Sequence, residues 1–328
     1  MSAVIGTVRF RLFGLRWIAR ESIFILGVVV PLSPIAMPTP HDAAPAALHN
    51  IIVSTDFSPV AETALLFALG IARRNNAKVW IIHVVGDTFF TRETQQRAVD
   101  DAWKEGQRQL TDHFIAGRLD GVENKLLVEQ GSVPEVLIRE VEKHHAELIV
   151  VGTSGRSRIG KLFLGSIAES IFRQAPCPVL TVGPHTRAKD VPAQGPRRIL
   201  FCTGFSRHSI AAGELAVRMA ARQEAELVLL HVGPDPLTGL RDDYVHSSEN
   251  RLRKLVPEDL HLPKPVKPVV RFGIAAEKIL EVAKETQPDV IVLGVRQPEG
   301  FQRRLRWATA YEVVINAACP VITVRAAD

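Results

Sequence analysis

From residue 50 onward the chain alternates short runs of Val, Ile and Leu with longer stretches whose apolar positions recur at helical spacing. The apolar runs near 50–55, 79–85, 125–130, 147–152 and 178–182 are almost continuous. That pattern suits parallel strands covered on both faces, which need no polar side. Between the first two runs, Ser58 is placed as an N-cap, Pro59 opens the first turn and Glu62 follows within it. Ala61, Ala64, Leu65, Ala68, Leu69 and Ala72 then form one apolar stripe. Residues 93–117 read as a polar amphipathic helix, and Gly131-Ser132 precedes a third helix. Regular β-α alternation with right-handed crossovers predicts a three-layer, doubly wound α/β domain on a five-stranded parallel sheet.

The pattern occurs twice. Asn50-Ile-Ile-Val-Ser-Thr-Asp-Phe-Ser58 matches Arg198-Ile-Leu-Phe-Cys-Thr-Gly-Phe-Ser206, so that Ile51 and Ile199 stand 148 residues apart. His83 and His231, inside a second matching pair of strands, stand 148 apart as well. Gly152 and Gly294, then Cys177-Pro-Val and Cys319-Pro-Val, are offset by 142. The order and near-constant spacing imply one domain duplicated in tandem, the second copy six residues shorter in its middle. The expected domains are 49–183 and 197–328, joined by a linker over 184–196 that carries Pro184, Pro192 and Pro196.

Residues 1–48 do not follow the pattern. Arg9, Arg11, Arg16 and Arg20 precede an apolar stretch, Ile23 to Leu32, about half the ~20 residues a bilayer-spanning helix needs. Three readings stay open: a start at Met37, a disordered or loosely membrane-associated extension, and a signal segment. These arginines supply a good part of the net charge of +5, and the remainder is close to balanced. Without a basic stripe interleaved with aromatics, nucleic-acid binding is not expected. Cys177, Cys202 and Cys319 form no CxxC pair and read as free thiols of a reducing, cytoplasmic compartment.

The chemistry concentrates after the fourth strand, in Val151-Gly152-Thr-Ser-Gly155-Arg-Ser-Arg-Ile-Gly160-Lys-Leu-Phe-Leu-Gly165-Ser166. Glycines permit positive φ and close approach of the main chain to a ligand. Exposed backbone N–H groups followed by a helix start form an anion site, and Ser166 adds a hydroxyl. A tight strand-to-helix turn would use the same glycines, so both readings stay open on the residues alone.

Gly152-x2-Gly155-x9-Gly165-Ser166, the opening Ile-Ile-Val-Ser-Thr-Asp-Phe-Ser and the closing Cys-Pro-Val-Leu-Thr-Val together resemble the universal stress protein family. The resemblance covers about 50–183 and 197–326. It implies an adenine-nucleotide α-hydrolase-like fold that binds ATP with Mg²⁺ or Mn²⁺. It implies that Asp56 lies against the adenine or ribose, with Ser54 and Thr55 leading into it. Val84 would meet adenine through its backbone. Gly152 and Gly155 would pass beneath the ribose and phosphates, and Gly165 and Ser166 would hold phosphate oxygens. Val151 and Ile167 complete that set. Arg156, Arg158 and Lys161 would steer phosphates or stand solvated.

The second copy departs from this pattern. Gly204 replaces Asp56, Gln297 replaces Gly155, Ala308-Thr309 replaces Gly165-Ser166, and Pro298 removes an N–H. A degenerate nucleotide site and a packing role are therefore expected there. The closing strands, Val179–Val182 and Val321–Val324, are expected to pair within the chain as a pseudo-dimer, and two chains could dimerise further. The function expected is a stress-response or regulatory switch set by ATP, acting on an unidentified protein partner. A slow ATPase and a nucleotide-free interaction module are the alternatives. His83 and His231 read as capping histidines, Cys177 and Cys319 as small packing groups, His144-His145 as a surface pair, and Trp80, Trp103 and Trp307 as packing residues.

Overall fold

The computed structural model describes residues 22–25, 28–31, 48–86, 91–153, 166–236, 239–295 and 308–325. Met1–Asp42 and Ala43–Asp328 are separate units. In the first, β1 (Ser22–Ile25) and β2 (Val28–Pro31) pair antiparallel.

The second unit is built on one ten-stranded sheet. Its first half comprises β3 (Asn50–Ser54), β4 (Lys78–Val85), β5 (Asn124–Gln130), β6 (Leu148–Gly152) and β7 (Val179–Val182). The second comprises β8 (Arg198–Thr203), β9 (Glu226–Gly233), β10 (Lys267–Phe272), β11 (Val290–Val295) and β12 (Val321–Arg325). The spatial order is β10-β9-β8-β11-β12-β7-β6-β3-β4-β5, parallel within each half. Each half is a five-stranded parallel sheet with a switch point beside its first strand, as the apolar runs predict.

The helices, among the described residues, are α1 (Pro59–Asn75), α2 (Arg92–Ile115), α3 (Val133–His144), α4 (Ser166–Gln174), α5 (Arg207–Gln223), α6 (Arg241–Arg253), α7 (Ala275–Thr286) and α8 (Ala308–Asn316). Ser58 caps α1 by accepting from the Ala61 amide at 3.3 Å, and the helix ends at Asn76 in the left-handed region, φ 51°. Both halves tie their first strand with an acid that precedes the fourth. Glu147 Oε2 accepts from the His49 and Asn50 amides, and Asp289 Oδ2 accepts from those of Arg197 and Arg198.

The halves join through their closing strands. β7 and β12 run antiparallel with Leu180 opposite Ile322, and Thr323 Oγ1 donates to the Val179 carbonyl at 3.3 Å. The two apolar layers, one on each side of the sheet, both run through the two halves. One contains Phe67, Leu69, Leu215 and Met219, and the other Ile171, Phe172, Val313 and Val314. The connection between the halves is strapped down. Arg73 donates to the carbonyls of Ala193, Asp120 and Arg118, and Arg74 to that of Gln194.

Two expectations need correction. His144 is not a surface residue: its ring stacks on Trp80 with centroids 3.6 Å apart, and Nε2 meets Glu140 at 3.1 Å. Trp103 does not pack in the core. It is 44% exposed on α2, beside the more exposed Phe114 and Ile115. The 24-residue α2 has few buried positions, so its aromatic groups are not drawn under the sheet. Trp307 lies outside the described residues.

Candidate functional site

The carboxyl ends of β3, β4 and β6 lie side by side, the place where open α/β sheets take ligands. After β3 the turn is fixed by its own side chains. Thr55 donates its amide to the Ile82 carbonyl at 2.9 Å, and its Oγ1 accepts from the Phe57 amide at 3.0 Å. Phe57 takes the left-handed conformation, φ 62°, and its ring stacks on His83 at 4.5 Å. His83 Nδ1 lies 2.8 Å from the Thr55 carbonyl, the capping role expected of it.

This turn recurs in the second half with the same parts. Thr203 Oγ1 accepts from the Phe205 amide at 2.9 Å, Phe205 has φ 58°, and His231 Nδ1 lies 2.9 Å from the Thr203 carbonyl. A device present in both halves belongs to the scaffold, so the Thr55 hydroxyl is accounted for by the turn.

Asp56 is the part that does not recur. Its Oδ1 accepts from the Ser58 amide at 3.0 Å. Its Oδ2 is buried and has no hydrogen-bond partner among the described residues. Thr153 stands three residues past Val150 as Asp56 stands three past Val53, at the ends of the neighbouring strands β6 and β3. Thr153 is 2% exposed, and its Oγ1 is likewise buried without a partner among the described residues. A buried acceptor left unpaired costs about 1–3 kcal/mol, and more when charged. Each therefore calls for a polar partner. In the second half Gly204 and Val295 hold these places, so the carboxylate and the hydroxyl are lost together.

The other expected residues are spread around this point. Ser54 ends β3, half-buried. Val151 is 3% exposed, and its side chain belongs to the core. Gly152 ends β6, where a Cβ would come 2.9 Å from Val60 Cγ1, so the absent side chain lets α1 approach the strand. Val84 pairs with Glu129 in the sheet, and its side chain packs on the apolar layer. Ser166 opens α4, and Ile167 beside it is 46% exposed. Gly155 and Gly165, with Arg156, Arg158 and Lys161, lie outside the described residues. The structure thus brings Ser54, Thr55, Asp56, Val84, Val151 and Gly152 to one end of three neighbouring strands. Thr153 was missed by sequence reasoning, although it stands inside the glycine segment. Its signal was the change from Thr153 to Val295 between copies.

Among the described residues no group of His, Cys, Asp and Glu could hold a metal ion by itself, and no helix is long and apolar enough to cross a membrane.

The universal stress protein family model matches residues 47–183 and again 195–325. The chain belongs to the universal stress protein family. A Staphylococcus aureus (strain USA300) protein bearing the universal stress protein name is 31% identical over 154 residues, which are 44% of this chain and 87% of that one. A universal stress protein of Archaeoglobus fulgidus DSM 4304 aligns with a TM-score of 0.65 at 17% identity, over 85% of this chain and 98% of that chain. One from Pseudomonas aeruginosa UCBPP-PA14 aligns with a TM-score of 0.57 at 19% identity, over 85% and 94%. These two solved chains share the tandem fold, since an overlap of that length takes in both universal stress domains.

Proposed function

We propose that the first universal stress domain binds ATP, with Mg²⁺ or Mn²⁺ carried on the phosphates, and that the chain acts as a nucleotide-dependent regulatory switch. The observation behind this reading is the pair of buried, unpartnered acceptors, Asp56 Oδ2 and Thr153 Oγ1. A ribose hydroxyl or an adenine amino group supplies the donor that Asp56 lacks. The Thr153 hydroxyl can donate as well as accept, which suits a ribose or phosphate oxygen. Asp56 follows β3 and Thr153 follows the neighbouring β6, so a nucleoside whose base meets Val84 at the end of β4 would lay its ribose toward both.

The triphosphate would then extend over Gly152, Gly155, Gly165 and Ser166 to the start of α4, where main-chain N–H groups favour negative charge. The metal would neutralise phosphate charge; among the described residues no group of His, Cys, Asp and Glu forms a ligand set for it. The second domain, with Gly204 and Val295, offers neither acceptor and serves as a packing partner. The cytoplasm is the compartment that supplies this ligand and keeps free thiols reduced.

Switching requires that ATP bind two states unequally. The bistable part would be the loop 152–166, read by a protein partner or by a second chain. Since β7 and β12 consume each other's edges, a homodimer would form through other surfaces.

The test is an ATP titration followed by melting temperature. Saturation near a hundred times Kd adds about 2.7 kcal/mol to the native state. Asp56→Ala, Gly155→Val and Gly165→Val should each abolish the shift. Three variants that respond like the parent chain overturn the reading.

A further inference from the structure

We propose that Tyr244 closes the second domain, its phenol ring standing against the ends of β9 and β10 in the place where the first domain would receive a flat base beside Val84 of β4. The inference rests on the nucleotide reading of the first domain. Its evidence is a continuous row of rings and cations found in the second half. Arg241 lies over Phe272 at 4.6 Å, and Phe272 meets Tyr244 with centroids 5.6 Å apart. The Tyr244 hydroxyl lies 2.9 Å from His231 Nε2, His231 faces Phe205 at 4.3 Å, and Arg251 covers Phe205 at 3.9 Å. The row passes the carboxyl ends of β8, β9 and β10 and is covered by Arg241 and Arg251, the first residue of α6 and one near its end.

The space for the tyrosine is made by glycine. A Cβ at Gly233 would overlap the Tyr244 hydroxyl. The corresponding first-domain residue, 148 positions earlier, is Val85, which carries the side chain that Gly233 lacks. At Gly204, where Asp56 stands in the first domain, an added Cβ would meet nothing within 4 Å. The second domain has thus lost the polar acceptors and gained an aromatic side chain at a neighbouring strand end. His231 has both ring nitrogens engaged, Nδ1 with the Thr203 carbonyl and Nε2 with Tyr244, so the turn and the closing ring hold each other in place. Tyr244 is therefore a specificity-determining residue, confining the nucleotide to the first domain.

Removing the ring should leave a cleft walled by His231, Phe205 and Phe272 that accepts a flat ring from solution, as apolar cavities accept ligands of matching shape. The test uses the full chain carrying Asp56→Ala, which disables the first site, with and without Tyr244→Gly. The probes are adenosine and 4-methylphenol. With Tyr244→Gly, both probes should raise the melting temperature in proportion to dose and slow hydrogen exchange at residues 203–205 and 231–233. With Tyr244 or Tyr244→Phe in place, neither should. Tyr244→Leu, which keeps apolar volume but vacates the hydroxyl end, replaces the glycine variant should that fail to fold.

Absence of protection in the open variant, or equal protection of the parent, overturns the proposal. Protection by 4-methylphenol without adenosine overturns it too, because the cleft would then fit a tyrosine and no base. On the unsubstituted chain, two equivalents of bound ATP overturn the closure. Zero equivalents overturn the reading of the first domain and leave the Tyr244 comparison standing.

Discussion

The Gln223 side-chain amide donates to the Ile71 carbonyl at 3.2 Å, joining the end of α5 in one universal stress domain to α1 in the other across 152 positions of chain. The same amide group sits against the connecting strap. Gly195 has φ +82°, and a Cβ there would overlap Gln223 Oε1 and come 2.8 Å from the Gly70 carbonyl oxygen. Gly195→Ala therefore meets both a left-handed backbone and a rigid wall. Overpacking of this kind costs about 1–3 kcal/mol. Urea unfolding should show a lower midpoint, with both domains losing stability together because their apolar layers are shared. An unchanged midpoint would show that the strap yields freely and does not couple the domains.

Acidification should destabilise the fold before any carboxylate titrates. Burial lowers the affinity of His113, His144 and His231 for a proton, and for each it outweighs the neighbouring groups that favour charge. Their folded values therefore lie below the ordinary histidine value of about 6.5. The unfolded chain then binds more protons as pH falls, so stability drops below about pH 6.5 and continues to drop through the depressed values. Each group adds a slope of at most about 1.4 kcal/mol per pH unit. Denaturant midpoints between pH 7.5 and 5 check this. His144→Gln should flatten part of the slope, because that ring is held neutral against Trp80.

Glu140 contributes in the same direction at lower pH. Burial pushes its carboxyl up, but bonds from Lys143 and Arg139 and their charges overcome that and hold it below the ordinary carboxylate range. Its stabilisation is present above the unfolded value and lost as pH falls through the depressed folded one. Its side chain is only 1% exposed, so Glu140→Ala leaves a space and removes the acceptor of His144, while Arg139 keeps Glu129 and Lys143 is already more than half exposed. The loss expected for removing hydrogen bonds to a charged acceptor is about 1.5–3 kcal/mol. Removal of Glu140 without measurable destabilisation would mean the cluster is solvated.

The three cysteines should be inert in the folded chain. Burial pushes Cys177 and Cys319 up to about 12 and raises Cys202 as well. The thiolate is the reactive form, so at pH 8 a disulfide reagent should titrate them slowly before denaturation and all three promptly after it. Fast reaction of the native protein would place a thiol at the surface.

Much of the fold was legible in local pattern. The signal lay in whole runs such as Leu148–Gly152 and in offsets of 148 and 142, which mark strands and their repetition without knowledge of contacts. Asp56 was legible through the resemblance of Ile-Ile-Val-Ser-Thr-Asp-Phe-Ser to the family, and the second copy departs from it at Gly204. What escaped depends on distance through space. His144 reads as a helix end until β4 brings Trp80 beside it, 64 positions earlier. Tyr244 has no marker in α6, since its role comes from Gly233 on another element. Gln223 reads as a polar helix terminus until the strap and α1 enclose it.

Thr153→Val separates the cost of the site from its use. Valine is the residue the second domain carries at this place, as Val295, and it fits there at 6% exposure. Thr153 Oγ1 is buried and unpartnered among the described residues, so its removal relieves a desolvation cost of about 1–3 kcal/mol. The ligand-free variant should therefore melt at a higher temperature than the parent. Its affinity for ATP should fall about tenfold, the worth of one hydrogen bond near 1.4 kcal/mol. The two effects have opposite sign, which a purely structural threonine could not produce. A lower melting temperature without ligand would show that the hydroxyl already has a partner in the folded chain, and the case for a ligand between Asp56 and Thr153 would lose half its support.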